Sequence, residues 1–266
     1  MTKQPDFDAF AVATAIADAA REHTLNGFRA EIAVDNKLSG GFDPVTEADR
    51  AAERAMREVL AEARPDDGVF GEEFGHHPGK TGWTWYLDPI DGTRAYIAGL
   101  PVWTTLIGLV NGDGDAIVGL IDQPVLDERY FGGPDGTTLH RKGETSHLNV
   151  STCDDLRQSI ISTTDAFILT ASEQAAWTHL RHTARLTRYG LDAYAYARLA
   201  AGTIDLVAES GLAPYDAAAL IPIVRGAGGV ACDWRGNPAR PGGQLVCAAS
   251  QLLLEQALIS LRRSAS

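Results

Sequence analysis

From Phe7 to His23 the apolar residues Phe7, Phe10, Ala13, Ile16, Ala17 and Ala20 recur at steps of three and four, with Asp18, Arg21 and Glu22 mostly off that stripe. This spacing predicts an amphipathic helix. A glycine-rich polar stretch from Asn36 to Pro44 reads as a loop, and Thr46-Glu47-Ala48-Asp49 then opens an Ala/Arg/Glu-rich helix stopped by Pro65, whose ring cannot continue it. The pattern then shortens. Trp83 to Leu87 predicts a strand, and Val102 to Val110 with Ala116 to Ile121 predicts a hairpin around Asn111-Gly112-Asp113-Gly114. Gly132-Gly133-Pro134-Asp135-Gly136 is a further turn. Later, helix over Ala193 to Ala201, strand over Ile204 to Ala208, helix over Ala217 to Gly226 and strand over Val230 to Trp234 alternate. The first half reads as helices on an antiparallel sheet, the second as α/β. No repeat or low-complexity tract separates them, so the boundary is soft, near residue 146, dividing 1–145 from 146–266.

Composition narrows the function. Of 266 residues, 45% are hydrophobic, ordinary for a globular chain, while 23 basic against 35 acidic residues give a net charge of -12. That sign opposes binding to a nucleic-acid backbone. Cys153, Cys232 and Cys247 are odd in number, widely spaced and without a CxxC pair, which predicts a reducing compartment and no structural zinc. Met1 to Asp8 carries Lys3 but no apolar segment, and no stretch reaches the roughly 18 uninterrupted apolar residues of a membrane span. A soluble, cytoplasmic protein is expected.

Five acidic residues stand where one element gives way to another: Asp49, Glu72, Asp88, Asp91 and Asp216. In Trp85-Tyr86-Leu87-Asp88-Pro89-Ile90-Asp91-Gly92-Thr93 the strand is expected to end at Asp88, proline to force an extended link, and Asp91 to precede a helical turn. Two carboxylates then face one point. Gly92 permits close backbone approach, and the N–H groups of Gly92, Thr93 and Arg94 at a helix start suit phosphate. Each acid also has a bland reading taken alone. Asp91 and Asp216 could be N-caps and Asp88 a turn residue; Thr46 and Asp49 fit a capping box, and Glu72-Glu73 could be solvated surface.

Taken in order, Gly71-Glu72-Glu73, Asp88-Pro89-Ile90-Asp91-Gly92-Thr93 and Asp216-Ala217-Ala218-Ala219 resemble the motifs of the inositol monophosphatase family. Val45-Thr46-Glu47-Ala48-Asp49 preceded by Lys37, and Ala227-Gly228-Gly229, extend the likeness over about residues 7 to 260. The resemblance implies a layered αβαβα fold, usually dimeric, with two to three Mg²⁺ ions at the junction of the halves and Mn²⁺ as a possible substitute. It implies that Glu72, Asp88 and the Ile90 carbonyl hold the first ion, and that Asp88, Asp91 and Asp216 hold the second. A weaker third falls to Glu72, while Asp49 and Thr93 orient the attacking water. Tyr215 replaces the tryptophan common before the last aspartate, and Leu220 a glycine common after the alanines. Neither change removes a ligand.

The chemistry agrees with the likeness. An anionic ester beside clustered carboxylates needs intervening cations, and an all-oxygen set suits Mg²⁺ rather than zinc. Metal-activated water then displaces the alcohol without a phosphoenzyme, with the Gly92 and Thr93 amides holding phosphate. Asp192 and Glu209 place two carboxylates beside the organic part, which favours an ammonium or imidazolium group over a neutral polyol, although Asp192 could simply cap a helix. Tyr96-Ile97-Ala98-Gly99-Leu100-Pro101-Val102-Trp103 and Ala213-Pro214-Tyr215-Asp216 resemble most the histidinol-phosphatase branch. L-Histidinol phosphate is therefore the expected substrate, and a broad-specificity inositol monophosphatase the alternative. A silent metal- or phosphate-binding subunit sits poorly with an intact acidic set, and a phosphoadenosine-type nucleotidase sits poorly with Asp192 and Glu209. His76-His77 is expected to be a polar loop, and Trp83, Trp85 and Trp177 to be packing residues.

Overall fold

The computed structural model of the chain describes residues 4–30, 34–36 and 44–265. Helix α1 (Ala9–Gly27) begins after Asp8, whose carboxylate accepts the Ala11 N–H. A two-stranded ribbon, β1 (Val34–Asn36) and β2 (Pro44–Thr46), leads into α2 (Glu47–Ala63). The two ends of the sequence-predicted loop thus lie in strands, and Lys37 falls outside the described residues.

Eight strands follow in one sheet. They are β3 (Gly68–Gly71), β4 (Gly75–His77), β5 (Thr84–Asp91), β6 (Thr104–Val110), β7 (Ala116–Gln123), β8 (Glu128–Gly133), β9 (Gly136–Arg141) and β10 (Glu144–His147), with the short helix α3 (Thr93–Ile97) between β5 and β6. Their spatial order is β10-β9-β8-β7-β6-β5-β3-β4, antiparallel except where β3 runs beside β5. His76 and His77 therefore lie on an exposed edge strand instead of in a loop. The predicted hairpin is present as β6 and β7.

The second sheet gathers β11 (Ile160–Ser162), β12 (Leu186–Arg188), β13 (Leu206–Leu212), β14 (Val230–Cys232) and β15 (Gly243–Ala248) in the order β12-β11-β13-β15-β14. Helices α4 (Ala171–Thr183), α5 (Tyr194–Ala200), α6 (Pro214–Ala218), α7 (Leu220–Gly226) and α8 (Gln251–Leu261) flank it, and a turn of 3₁₀ helix over 262–264 closes the chain. The helix expected over Ala217 to Gly226 is two pieces meeting at Ala219.

Three apolar layers order these parts. Ala13, Ile16 and Ala17 of α1 and Met56 of α2 pack on Trp85, Leu87 and Ile107 of the first sheet. Leu106 and Ile121 on that sheet share a second core with α5 to α7 and with Val207 and Leu245 of the other sheet. Trp177 of α4 and Leu253 and Leu258 of α8 cover the far face of the second sheet. The result is the expected αβαβα sandwich, each sheet burying both faces.

One row of glycines sets how closely the middle helices approach. Gly108, Gly119 and Gly132 lie opposite one another on β6, β7 and β8. A Cβ on them would stand 2.6 Å from the Ala218 Cβ, 2.0 Å from the Ala219 carbonyl oxygen and 2.3 Å from the Ile223 Cα, respectively. Only bare backbone lets α6 and α7 lie this near the sheet, and α6 carries Asp216.

Candidate active site

Helix α2 supplies the first wall. Thr46 and Asp49 form the capping box that their spacing predicts: the Thr46 N–H donates to the Asp49 carboxylate at 2.8 Å, and the Asp49 N–H to the Thr46 hydroxyl at 3.4 Å. Burial pushes the Asp49 carboxyl up to about 6; the Thr46 hydrogen bonds oppose this, and the charge of Glu72 adds to it.

One turn on, Glu53 is fully buried. It accepts the Glu73 N–H at 2.6 Å and the Phe74 N–H at 3.3 Å, and pairs with Arg57 at 2.8 Å. A Cβ on Gly71 would collide with its carboxylate. Glu53 therefore fixes the turn between β3 and β4 that presents Glu72. Sequence reasoning passed it over, although a Glu four residues after Asp49, on the face of Ala52, Met56 and Leu60, was the available signal.

Strand β5 does not end at Asp88. It continues through Pro89 and Ile90 to Asp91 with a register shift against β6. Proline has no N–H to give the ladder, and the Thr105 hydroxyl donates to the Pro89 carbonyl at 2.8 Å. The Ile90 N–H turns instead to Asp88, at 3.1 Å. Gly92 follows at φ 84, a left-handed conformation, and caps α3; the Thr93 hydroxyl donates back to the Ile90 carbonyl at 3.1 Å. Asp91 is thus a strand-end residue, not an N-cap.

The second half closes the site. Asp91 accepts the Ala193 N–H at 2.7 Å, a contact across 102 residues. Asp192 adopts φ 47, and its carboxylate lies 3.2 Å from where a Gly92 Cβ would stand. Asp216 sits at the third position of α6, not at its cap, and accepts the Ala213 N–H at 2.7 Å. Glu209 is buried on β13, accepting from the Thr163 hydroxyl (3.1 Å) and from the Thr164 N–H (2.7 Å) and hydroxyl (3.0 Å).

Asp49, Glu72, Asp88, Ile90, Asp91, Gly92, Thr93, Asp192, Glu209 and Asp216 are thereby drawn into one region. Burial holds the Asp88 carboxyl well above its ordinary value; the charges of Glu72, Asp91 and Asp216 push the same way, and it hydrogen-bonds Glu72. Asp91 is raised by burial and by Asp192 and Asp216, against the Ala193 N–H. Burial takes Asp192 to about 6 despite Arg94, and Glu209 to about 7 despite its threonine bonds.

Among the described residues, no arginine or lysine bonds to Asp88 or Asp91, and no three candidate ligands already surround one point at coordinating distance. Mutually raised, all-oxygen acids nevertheless have the donor chemistry of a hard divalent cation. A cavity of about 170 Å³ lined by Asp91, Asp192, Tyr196, Glu209 and Asp216 adjoins them. A recess of about 730 Å³ opens beyond Asp192 toward Arg94, Phe167 and Tyr189.

Against known proteins, the model of the inositol monophosphatase family matches residues 6–266. The chloroplastic bifunctional phosphatase IMPL2 of Arabidopsis thaliana is 40% identical over 235 residues, covering 87% of this chain and 66% of the plant protein. A histidinol-phosphatase of Mycobacterium tuberculosis is 36% identical over 96% of this chain and 98% of its own. Among solved structures, an inositol monophosphatase from Zymomonas mobilis superposes with a TM-score of 0.85 at 37% identity, covering 97% of this chain and 99% of the other.

Proposed function

The chain belongs to the inositol monophosphatase family and is a phosphoric monoester hydrolase; from that premise we propose that its substrate is L-histidinol phosphate, cleaved to L-histidinol and phosphate. The observation that carries this choice is the pair of carboxylates Asp192 and Glu209 on the cavity beside Asp91. An acidic lining attracts a leaving alcohol bearing an ammonium or imidazolium group more than a neutral polyol. The M. tuberculosis relative, a histidinol-phosphatase, supports the same choice.

The family is generally Mg²⁺-dependent. Glu72, Asp88, the Ile90 carbonyl, Asp91 and Asp216 are the groups that would hold two to three Mg²⁺ ions, with Mn²⁺ as a possible substitute. When bound, the metal neutralises these acids and the phosphate and lowers the pKa of attacking water. The chain's own residues do the rest. The N–H groups of Gly92 and Thr93, at the helix start where no intrahelical acceptor exists, receive phosphate oxygens. Asp49 and the Thr93 hydroxyl orient the water, whose oxygen bonds to phosphorus as the bond to the ester oxygen breaks. The alcohol leaves toward Asp192 and Glu209.

A second reading, an inositol monophosphatase of broad specificity, is favoured by the Z. mobilis structure; Glu209 then accepts hydrogen bonds from sugar hydroxyls. The protein as a whole is read as a cytoplasmic homodimer, supported by its three free cysteines and by the usual assembly of the family. Among the described residues, no helix is long and apolar enough to cross a membrane.

Phosphate release from L-histidinol phosphate, inositol 1-phosphate and a phosphoadenosine ester, each with saturating Mg²⁺, tests the proposal. We expect kcat/KM on the histidinol ester to lead by about tenfold or more, the worth of one charge-assisted contact. Equal or reversed preference would defeat the substrate choice, and no release from any ester would leave a binding subunit.

A further inference from the structure

Among the residues lining the small cavity beside Asp91, one carries a buried side-chain polar atom with no hydrogen-bond partner. The hydroxyl of Tyr196, the third residue of α5, is buried to 1% exposure and has no hydrogen-bond partner among the described residues. Its ring is locked among Leu106, Leu220, Leu245 and Cys247 in the core between the two sheets, so the oxygen cannot swing out to solvent. Its charged surroundings are acids: Glu209, Asp91 and Asp216.

The other two buried tyrosines, Tyr96 and Tyr130, and the half-buried Tyr194 are satisfied. Tyr96 donates to the Thr24 carbonyl at 2.8 Å, Tyr130 to Glu128 at 2.6 Å and Tyr194 to Glu128 at 2.8 Å. The remaining orphaned atoms, on Thr14, Trp103, Thr104 and Asn111, do not line this cavity. A buried hydroxyl without a partner is destabilising, and phenylalanine would fill the same space without that cost. An unspent polar atom on a residue that lines a cavity marks a place where a bound group can complete it.

The neighbouring acids narrow what that partner is. Three of the roughly four acceptor positions of a carboxylate are occupied on Glu209 by Thr163 and Thr164, which leaves little of it for a ligand. No acceptor lies within hydrogen-bonding distance of the phenol, and its lone pairs are open to a donor. Asp192 and Glu209, the acids of this cavity that are not assigned to metal, favour a cationic one.

We infer that the Tyr196 hydroxyl is a specificity-determining contact, accepting a hydrogen bond from an ammonium-type N–H of the leaving alcohol. The inference rests on the reading of the substrate as a cationic alcohol ester and adds the residue that senses the cation. Neutral esters reach the same phosphate seat but bring no charged donor to this hydroxyl.

The test is Tyr196→Phe in the Mg²⁺-loaded enzyme, assayed on L-histidinol phosphate and on glycerol 2-phosphate, whose alcohol is neutral. KM for the histidinol ester should rise by about tenfold, the net worth of a hydrogen bond to a charged group, with kcat within about twofold, as expected for uniform binding. Both constants for glycerol 2-phosphate should stay within about twofold. Calorimetric Kd for L-histidinol should weaken by the same factor as KM, and the Tm of the free variant should equal or exceed that of the parent.

An unchanged KM for the histidinol ester, an equal loss on both esters, or a lower Tm exposing a partner for the hydroxyl would each overturn the inference. The wild-type preference between the two esters tests the substrate reading separately. Should glycerol 2-phosphate win there, the variant-to-parent ratio on each ester still reports on the hydroxyl.

Discussion

Two buried acidic sites lie on the first sheet, two strands apart, and they are built on opposite principles. On β7, Asp122 is fully buried and receives Arg21 at 2.7 and 2.9 Å and Arg129 at 2.8 Å; those arginines also reach Asp127 and Asp18. On β5, Asp88 and Asp91 are met by N–H groups and by other acids, which raise both carboxyls instead of neutralising them. Burying a carboxylate is costly unless a cation compensates it. The chain carries its own cations to Asp122 and, among the described residues, brings none to hydrogen-bonding distance of Asp88 or Asp91. That difference separates an acid used for structure from the acids proposed to hold metal.

Exchanging the charge at each site should break the comparison most sharply. Asp91→Asn should lower kcat/KM by about 10³-fold or more, because on the proposed assignment it removes an anionic metal ligand at almost constant volume. Its metal-free stability should not fall, since mutual repulsion is relieved. Asp122→Asn should do the reverse, keeping kcat per folded molecule while destabilising the protein by about 3 kcal/mol through arginines left uncompensated. Calorimetry with and without Mg²⁺ adds a second readout. The parent should gain about 2.7 kcal/mol at a hundredfold excess over Kd, and Asp91→Asn should gain far less. A comparable Mg²⁺ gain in Asp91→Asn would place the ion elsewhere.

A smaller effect is expected from the glycine row that seats α6 and α7. In Gly119→Ala the new methyl would stand 2.0 Å from the Ala219 carbonyl oxygen, so the helices must shift, at a cost of about 1–3 kcal/mol for overpacking. Asp216 moves with α6, and misplacing one ligand by a fraction of an ångström should cost about tenfold in kcat. Gly133→Ala is the control, because its Cβ would meet nothing closer than 3.9 Å. Equal rates in the two variants would show that the helix seat does not set the site.

The sequence was most legible where local chemistry is dense. Asp88, Pro89, Asp91 and Gly92 punctuate five residues, and the capping box at Thr46 and Asp49 is fixed by spacing alone. The hairpin of β6 and β7 announced itself through its turn. Strands β11 and β12, three residues each, are too short to carry a period, and β5 runs through a proline that reads as a stop. The contacts that complete the site are long-range. Asp91 meets Ala193 across 102 residues, Glu53 holds a turn some 20 residues away, and Gly108, Gly119 and Gly132 form a row only once the register is known. Tyr196 lay within the helix expected over Ala193 to Ala201, but an unmet hydroxyl is visible only in three dimensions.

A third buried acid sharpens the comparison by using neither arginines nor metal. Glu173, at the start of α4, accepts from the Thr170 N–H and hydroxyl at 2.8 Å each, from the Ser210 hydroxyl at 2.5 Å and from the Gln244 amide at 2.6 Å, tying α4 to the second sheet. Burial alone would raise its carboxyl, but these hydrogen bonds outweigh it and hold it down to about 2, from an ordinary 4.5. Between those values the unfolded chain binds more protons than the folded one, so stability falls with acidification. Its contribution is complete above pH 4.5 and is lost as pH drops through about 2. Glu173→Gln should therefore lower Tm by about 3 °C or more at pH 6, and the gap to the parent should close steadily toward pH 2. A gap independent of pH would mean that the side chain stabilises α4 by shape and neutral hydrogen bonding, with its charge idle.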